Sequence, residues 1–236
     1  IDRDGKPVFV GLQAVAAEST DAWDGFLTDL KARGLGPPLL GISDGAGGLI
    51  SAFELHFPHS LRQRCVIHRL RNALAKVSKP DQDEFKADWW AIFNDIDAEP
   101  GQAAIAEARR RADRFVAKWA DRYPSAVKCL TDDFASLTTH LRFPTEHRKR
   151  IRHSNFIERT FGETRRRVKV IGRMPGETSC VSLVWPDFDG FWGGFGGRDA
   201  VTWGYGSWLR VREPICRGKR SLLCPVGVWD NRRTCS

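Results

Sequence analysis

Apolar positions follow two rhythms along this chain. Up to about residue 79, short apolar runs alternate with segments whose apolar residues recur every three or four positions, the spacing of a helix face. Asp2-Arg3-Asp4-Gly5-Lys6 is turn chemistry and Pro7 to Val15 is rich in Val, Phe and Leu, so the start reads as a hairpin arm. Thr20 is placed as the N-cap of a helix with Trp23, Phe26, Leu27 and Leu30 on its core face and Gly34 as its C-terminal cap. Leu39-Leu40-Gly41-Ile42-Ser43 predicts a buried strand that stops at Asp44-Gly45-Ala46-Gly47-Gly48. Leu49, Ile50, Phe53 and Phe57 mark a second helix ended by Pro58. Arg64-Cys65-Val66-Ile67 reads as another short strand, and Leu70, Ala73, Leu74 and Val77 as a third helix. Strands and helices alternating over short connections predict an α/β core with parallel strands.

From Pro80 the strand rhythm stops. Pro80, Pro100, Pro124 and Pro144 bracket three segments that each carry a helical apolar stripe. The stripes are Phe85, Trp89, Ile92, Phe93, Ile96; then Ile105, Ala108, Ala112, Phe115, Val116, Trp119; then Ala126, Leu130, Phe134, Leu137, Leu141. A last helix is expected from about Asn155 to Val170, with Ile157, Phe161, Thr164 and Val168 on its core face. After residue 184 no helical period persists, and five of the nine tryptophans stand among dense Gly and Arg. No internal repeat is found. The expected organisation is a first core part at 1–79, an all-helical insertion at 80–143, a basic segment and helix of the core at 144–184, and an irregular tail at 185–236.

Composition sharpens this outline. Apolar residues make up 42% and charged residues 28% of the 236, which excludes fibrous, wholly disordered and membrane-spanning classes. No apolar run approaches the roughly 20 residues a bilayer requires, and no secretory signal follows Ile1. The chain starts at Ile1 and its one Met is Met174, so it reads as processed or as a fragment. The six cysteines are too few for a disulfide scaffold and read as reduced thiols of an intracellular, cytoplasmic protein. The net charge of +8 is concentrated. Residues 1–145 carry 19 basic and 20 acidic residues, 146–173 carry 10 and 3, and 174–236 carry 8 and 6. Clustered Lys and Arg are rewarded by counterion release from a polyanion, so nucleic acid is the expected partner.

Four groups of residues could carry chemistry. Asp44 ends a predicted buried strand, where α/β sheets place ligands, although the same residue type also opens turns and caps helices. Glu158 stands at the margin of the last helix's apolar stripe, and with Asn155 it could equally form a capping box. Cys65 and His68 have metal-ligand spacing, and His56 and His59 upstream could complete a zinc set, while a thiol in an apolar strand is commonly just buried. Arg148, Lys149, Arg150 and Arg152, with Arg165, Arg166, Arg167 and Lys169, contain no interleaved acid, and like charges at that density repel unless a polyanion neutralises them. A non-catalytic nucleic-acid-binding protein using this 146–173 patch is therefore one reading.

The order of features resembles the Mutator-type transposases of bacterial insertion sequences. Gly11-Leu12, Thr28 to Gly34, Ile42-Ser43-Asp44-Gly45, Phe57-Pro58, Gln63-Arg64-Cys65-Val66-Ile67-His68, Arg71-Asn72-Ala73-Leu74 and Asn155-Phe156-Ile157-Glu158-Arg159 are similar to segments of that family. The likeness runs from about Asp2 to about Val184. It implies an RNase H-like core in which Asp44 and Glu158 are the second and third acids of a DDE triad, with Mg²⁺ or Mn²⁺ as cofactor. Cys65 and His68 would be the family's Cys-x-x-His motif, and Arg159 would join the DNA-binding residues. The implied reaction is DNA cleavage and strand transfer, on terminal inverted repeats and target DNA, by a homo-oligomer and away from any membrane. Neither Asp2 nor Asp4 matches the first acid, so this chain alone is expected to be inactive, as a truncated or degenerate copy. The tail is read as an out-of-frame end or as a Trp-rich arm that stacks on bases.

Overall fold

The computed structural model describes residues 10, 11, 13–15, 17–154, 166, 221, 222 and 227–229. In chain order the elements are β1 (Ala14–Val15), α1 (Thr20–Ala32), β2 (Leu40–Ser43), α2 (Gly47–His56), β3 (Leu61–Arg64), α3 (Val66–Leu74), α4 (Gln82–Phe93), α5 (Gln102–Trp119), α6 (Pro124–Thr131), α7 (Phe134–Leu137), α8 (Thr145–Ile151), β4 (Ser221–Leu222) and β5 (Gly227–Trp229). Turns of 3₁₀ helix lie at Lys79–Asp81 and Thr139–Arg142. The fold is α/β, helix-rich, with a small parallel strand pair. Two compact units contain these elements: β1, α1, α2, β4 and β5 belong to one, and β2, β3 and α3 to α8 to the other.

In the first unit, α1 is capped by Ser19, one residue before the expected Thr20, because the Ser19 Oγ accepts the Ala22 N–H at 3.1 Å while Ser19 itself is extended. Its C-terminus closes as expected on Gly34, at φ 96°. There Gly34 N–H reaches Lys31 O and Leu35 N–H reaches Leu30 O, both at 2.9 Å. The expected face of Trp23, Phe26, Leu27 and Leu30 is buried. Helix α2 runs beside α1 in the same direction. A Cβ at Gly48 would lie 2.9 Å from Thr20 N, while at the other end Lys31 Nζ donates to His56 O at 3.5 Å. The tail is not wholly irregular: Ser221 and Leu222 pair antiparallel with Val15 and Ala14. Ladder bonds come from the backbone, so a strand can form without a side-chain period.

The second unit is built on the β2–β3 pair, parallel and in register from Leu40↔Leu61 to Ser43↔Arg64. The strand expected at Arg64–Ile67 lies three residues earlier, and Val66 and Ile67 open α3 instead. The segment Leu61-Arg62-Gln63-Arg64 lacks an apolar signal because its buried member is polar. Gln63 is fully buried, its Nε2 donating to Leu137 O at 3.0 Å and its Oε1 accepting His140 N–H at 2.7 Å.

Beyond α3 the helical region holds the unit's core. Phe85, Trp89, Phe115 and Trp119 pack ring against ring, with Phe85 centroids 4.9 Å from Phe115 and 5.3 Å from Trp119. The three expected stripes all face this core. The third, however, is broken into α6, α7 and a 3₁₀ turn. Thr138 turns its hydroxyl back onto Phe134 O at 2.8 Å, and Thr139 reaches Arg62 O at 2.8 Å. Bonds to β3 thus take the place of a continuing helix. Among the described residues no helix is long and apolar enough to cross a membrane.

Candidate catalytic centre and nucleic-acid interface

Because β2 and β3 end in register, their next residues, Asp44 and Cys65, lie just past the same end of the strand pair. The Cys65 N–H donates to Ser43 O at 2.8 Å, which extends the pairing by one bond. Asp44 is exposed. One of its oxygens, Oδ1, accepts the Ala46 N–H at 3.1 Å and so opens the turn into α2. The turn-forming and ligand-presenting readings of Asp44 are therefore compatible, since this single bond fixes the carboxylate without burying it. Gly45 follows at φ 90°, where an L side chain is strained, and a Cβ there would collide with the Arg64 guanidinium.

Arg64 is the residue that the spacing did not single out. Its side chain is 11% exposed and faces Asp133 at 3.8 Å, while Arg69 makes the closer pair with the same carboxylate at 2.8 Å. Burial lowers the Arg64 pKa, opposed by the charges of Asp133 and Asp44 and reinforced by Arg69 and Arg62. A guanidinium thus stands at the Asp44–Gly45 turn, facing the carboxylate of Asp133, the N-cap of α7. Nothing in local spacing marks Asp133, which lies 89 residues beyond Asp44.

Cys65 is fully buried as the N-cap of α3. Burial would push its thiol up, yet hydrogen bonding with His68 and from the Ser154 amide holds it below the ordinary value. The Ser154 N–H lies 3.4 Å from Sγ. The alternative of a zinc set from His56, His59, Cys65 and His68 is corrected. His56 Nε2 pairs with Asp24 at 2.8 Å, and among the described residues no three His, Cys, Asp or Glu side chains converge as a metal site.

The basic stretch divides in two. Lys149 and Arg150 are exposed on α8. Arg148, expected on the DNA-facing surface, is buried, and its guanidinium donates to Phe143 O, Ile96 O and Ala98 O at 3.0, 3.0 and 3.1 Å. Those carbonyls replace water for the charged group, so Arg148 joins α8 to the segment that follows α4 rather than offering a surface charge. Arg152 is half-buried. It donates to Asn94 Oδ1 at 2.8 Å and stacks 4.9 Å from the Trp90 ring centre, with burial lowering its pKa against the pull of Asp95. Arg166 is helical and exposed. Glu158, Arg159, Arg165, Arg167 and Lys169 lie outside the described residues, as does the Asn155 cap of their expected helix.

A parallel strand pair presenting Asp44, followed by Cys65 and His68, is the arrangement to set beside known proteins. Residues 1–187 match the family model described as Transposase, Mutator family. This chain belongs to the Mutator family of transposases. The match ends three residues past Val184, where the likeness was expected to fade. The transposase for insertion sequence element ISRM5 of Rhizobium meliloti is 32% identical over 184 residues, 78% of this chain and 44% of the relative. The transposase for IS6120 of Mycolicibacterium smegmatis is 35% identical over 72% of this chain and 50% of the relative. That for IST2 of Acidithiobacillus ferrooxidans is 35% identical over 78% and 60%. The chain spans about half the length of these curated relatives. Asp44 offers a hard, exposed carboxylate oxygen of the kind a divalent cation such as Mg²⁺ takes as a ligand, whereas the buried thiol of Cys65 is not such a donor.

Proposed function

We propose that this chain supplies the DNA-cutting centre of an insertion-sequence transposase, on an RNase H-like core. The observation that carries the reading is Asp44, an exposed carboxylate delivered past the end of a parallel strand pair in a chain of a transposase family. Asp44 and Glu158 would together hold Mg²⁺ or Mn²⁺. When bound, such ions activate a water or a 3′-hydroxyl and stabilise the leaving oxygen during phosphodiester cleavage and strand transfer.

The chain's own residues do the rest. The Ala46 amide orients the Asp44 carboxylate, and the Arg64 guanidinium beside it offsets its charge. Lys149, Arg150 and Arg166, exposed, with Arg159, Arg165, Arg167 and Lys169, would take DNA phosphates of the element's terminal inverted repeats and of target DNA, giving affinity without sequence reading. A homo-oligomer would bring two DNA ends together.

Mn²⁺ titration of the chain tests this reading. Asp44→Asn and Glu158→Gln should each weaken Mn²⁺ binding at least tenfold while leaving DNA affinity within about twofold. Unchanged Mn²⁺ affinity in both variants, with DNA binding intact, would overturn it in favour of a non-catalytic DNA-binding protein.

A further inference from the structure

We propose that Cys65 is a positioning residue, a latch that fastens residues 152–154 to the end of the β2–β3 pair and so sets where the chain departs toward Glu158. Three bonds make the latch. The Cys65 N–H holds Ser43 O at 2.8 Å, beside Asp44. The Val66 N–H, one of the amides that the first turn of α3 leaves without a helical partner, holds Arg152 O at 3.0 Å. The Ser154 N–H in turn donates to Cys65 Sγ at 3.4 Å, across 89 residues.

Cys65 is the N-cap of α3, and its side chain bonds with His68 of that helix. Its sulfur also takes an amide from a distant segment, that of Ser154, in a place where both Cys65 and Val66 are fully buried. A part-buried amide that loses its acceptor destabilises the fold, so the thiol and Ser154 constrain one another. Arg152 is pinned independently, by Asn94 and by the face of Trp90. The segment is thus held at its start by Arg152 and at its end by Ser154. Glu158 follows Ser154 by four residues, a span of at most about 14 Å of extended chain, so fixing Ser154 bounds where that carboxylate can be. Only the role given to Glu158 rests on the proposed function; the latch itself does not.

Amide hydrogen exchange and Mn²⁺ affinity, measured on the full chain, test it together. In Cys65→Ala, the Ser154 amide should exchange at least tenfold faster while those of α5 stay as in the wild type, and Mn²⁺ affinity should fall at least fivefold. Cys65→Ser, which restores an acceptor, should recover most of both. Ser154→Pro removes the donor without touching the buried thiol and should reproduce the Mn²⁺ loss, which keeps the test available if Cys65→Ala does not fold. Wild-type exchange of the Ser154 amide in Cys65→Ala overturns the latch, as does a loss in Cys65→Ala that Cys65→Ser does not recover, or, where the wild type binds Mn²⁺, unchanged Mn²⁺ affinity in Ser154→Pro. A wild-type chain that binds no Mn²⁺ yet shows Cys65-dependent protection overturns the nuclease reading and supports the latch.

Discussion

Gln63 Oε1 accepts the main-chain N–H of His140 at 2.7 Å, so a strand residue and a helical-region residue 77 positions apart share one buried bond. The Gln63 amide also donates to Leu137 O and to Arg64 O. This one side chain therefore ties the strand that ends beside Asp44 to the helical region behind it. Gln63→Ala strands the buried His140 N–H and removes the donor to two carbonyls, and should cost about 2–4 kcal/mol. Urea unfolding would show it, and a loss below about 0.5 kcal/mol would mean that the helical region holds its place without this side chain.

His140 gives the same contact a pH dependence. Its Nδ1 stands 3.0 Å from Leu137 O, while its Nε2 has no partner among the described residues. Burial, helped by the charges of Arg152 and Arg148, lowers its pKa to about 3 from 6.5. Between those values the unfolded chain binds the proton that the folded chain refuses, so stability falls as pH falls. The loss from this group should be about 2 kcal/mol between pH 7.5 and pH 5. Unfolding of the wild type and of His140→Gln at both pH values measures it: the variant should lose about 2 kcal/mol less. Equal losses would show that His140 does not titrate between the two states.

Neighbouring arginines of the basic stretch should part company when mutated. Arg148→Ala leaves three carbonyls without their charged donor and should destabilise by about 3–5 kcal/mol. Lys149→Ala and Arg150→Ala should stay within about 0.5 kcal/mol of the wild type. Each should instead lower DNA affinity and reduce the salt-dependence slope by about 1. Thermal unfolding and DNA binding between low and physiological salt separate the two behaviours. A destabilised Lys149→Ala with an unaltered salt slope would contradict the division.

At Gly45 the constraint is both conformational and steric. Gly45→Ala places a side chain at φ 90° and against the Arg64 guanidinium, and should cost at least about 1–2 kcal/mol. Asp44→Asn keeps an oxygen that can accept the Ala46 amide and should leave stability within about 0.5 kcal/mol. Denaturant midpoints of the two variants check this directly. A stable Gly45→Ala would show that neither the backbone angle nor Arg64 constrains this position.

Features that depend on near neighbours were legible along the chain. The helical stripes, Trp23 to Leu30 on α1 and Phe85 to Trp119 on α4 and α5, face the cores expected of them, because helix periodicity is written within one or two turns. The Leu40–Ser43 strand and the aspartate that follows it were legible for the same reason. Strand β3 was misplaced, since its buried residue is Gln63 and a buried amide is recognisable only once Leu137 and His140 stand opposite it. Likewise Arg148 is spelled like its exposed neighbours, and only the approach of Ile96 and Ala98, some 50 residues upstream, makes it an internal one. The tertiary structure decided those cases, and the grouping of Arg64, Asp133 and Cys65 around the Asp44 end of the strands. A polar side chain's role is set by the partners that replace its water, and here those partners are remote in the chain.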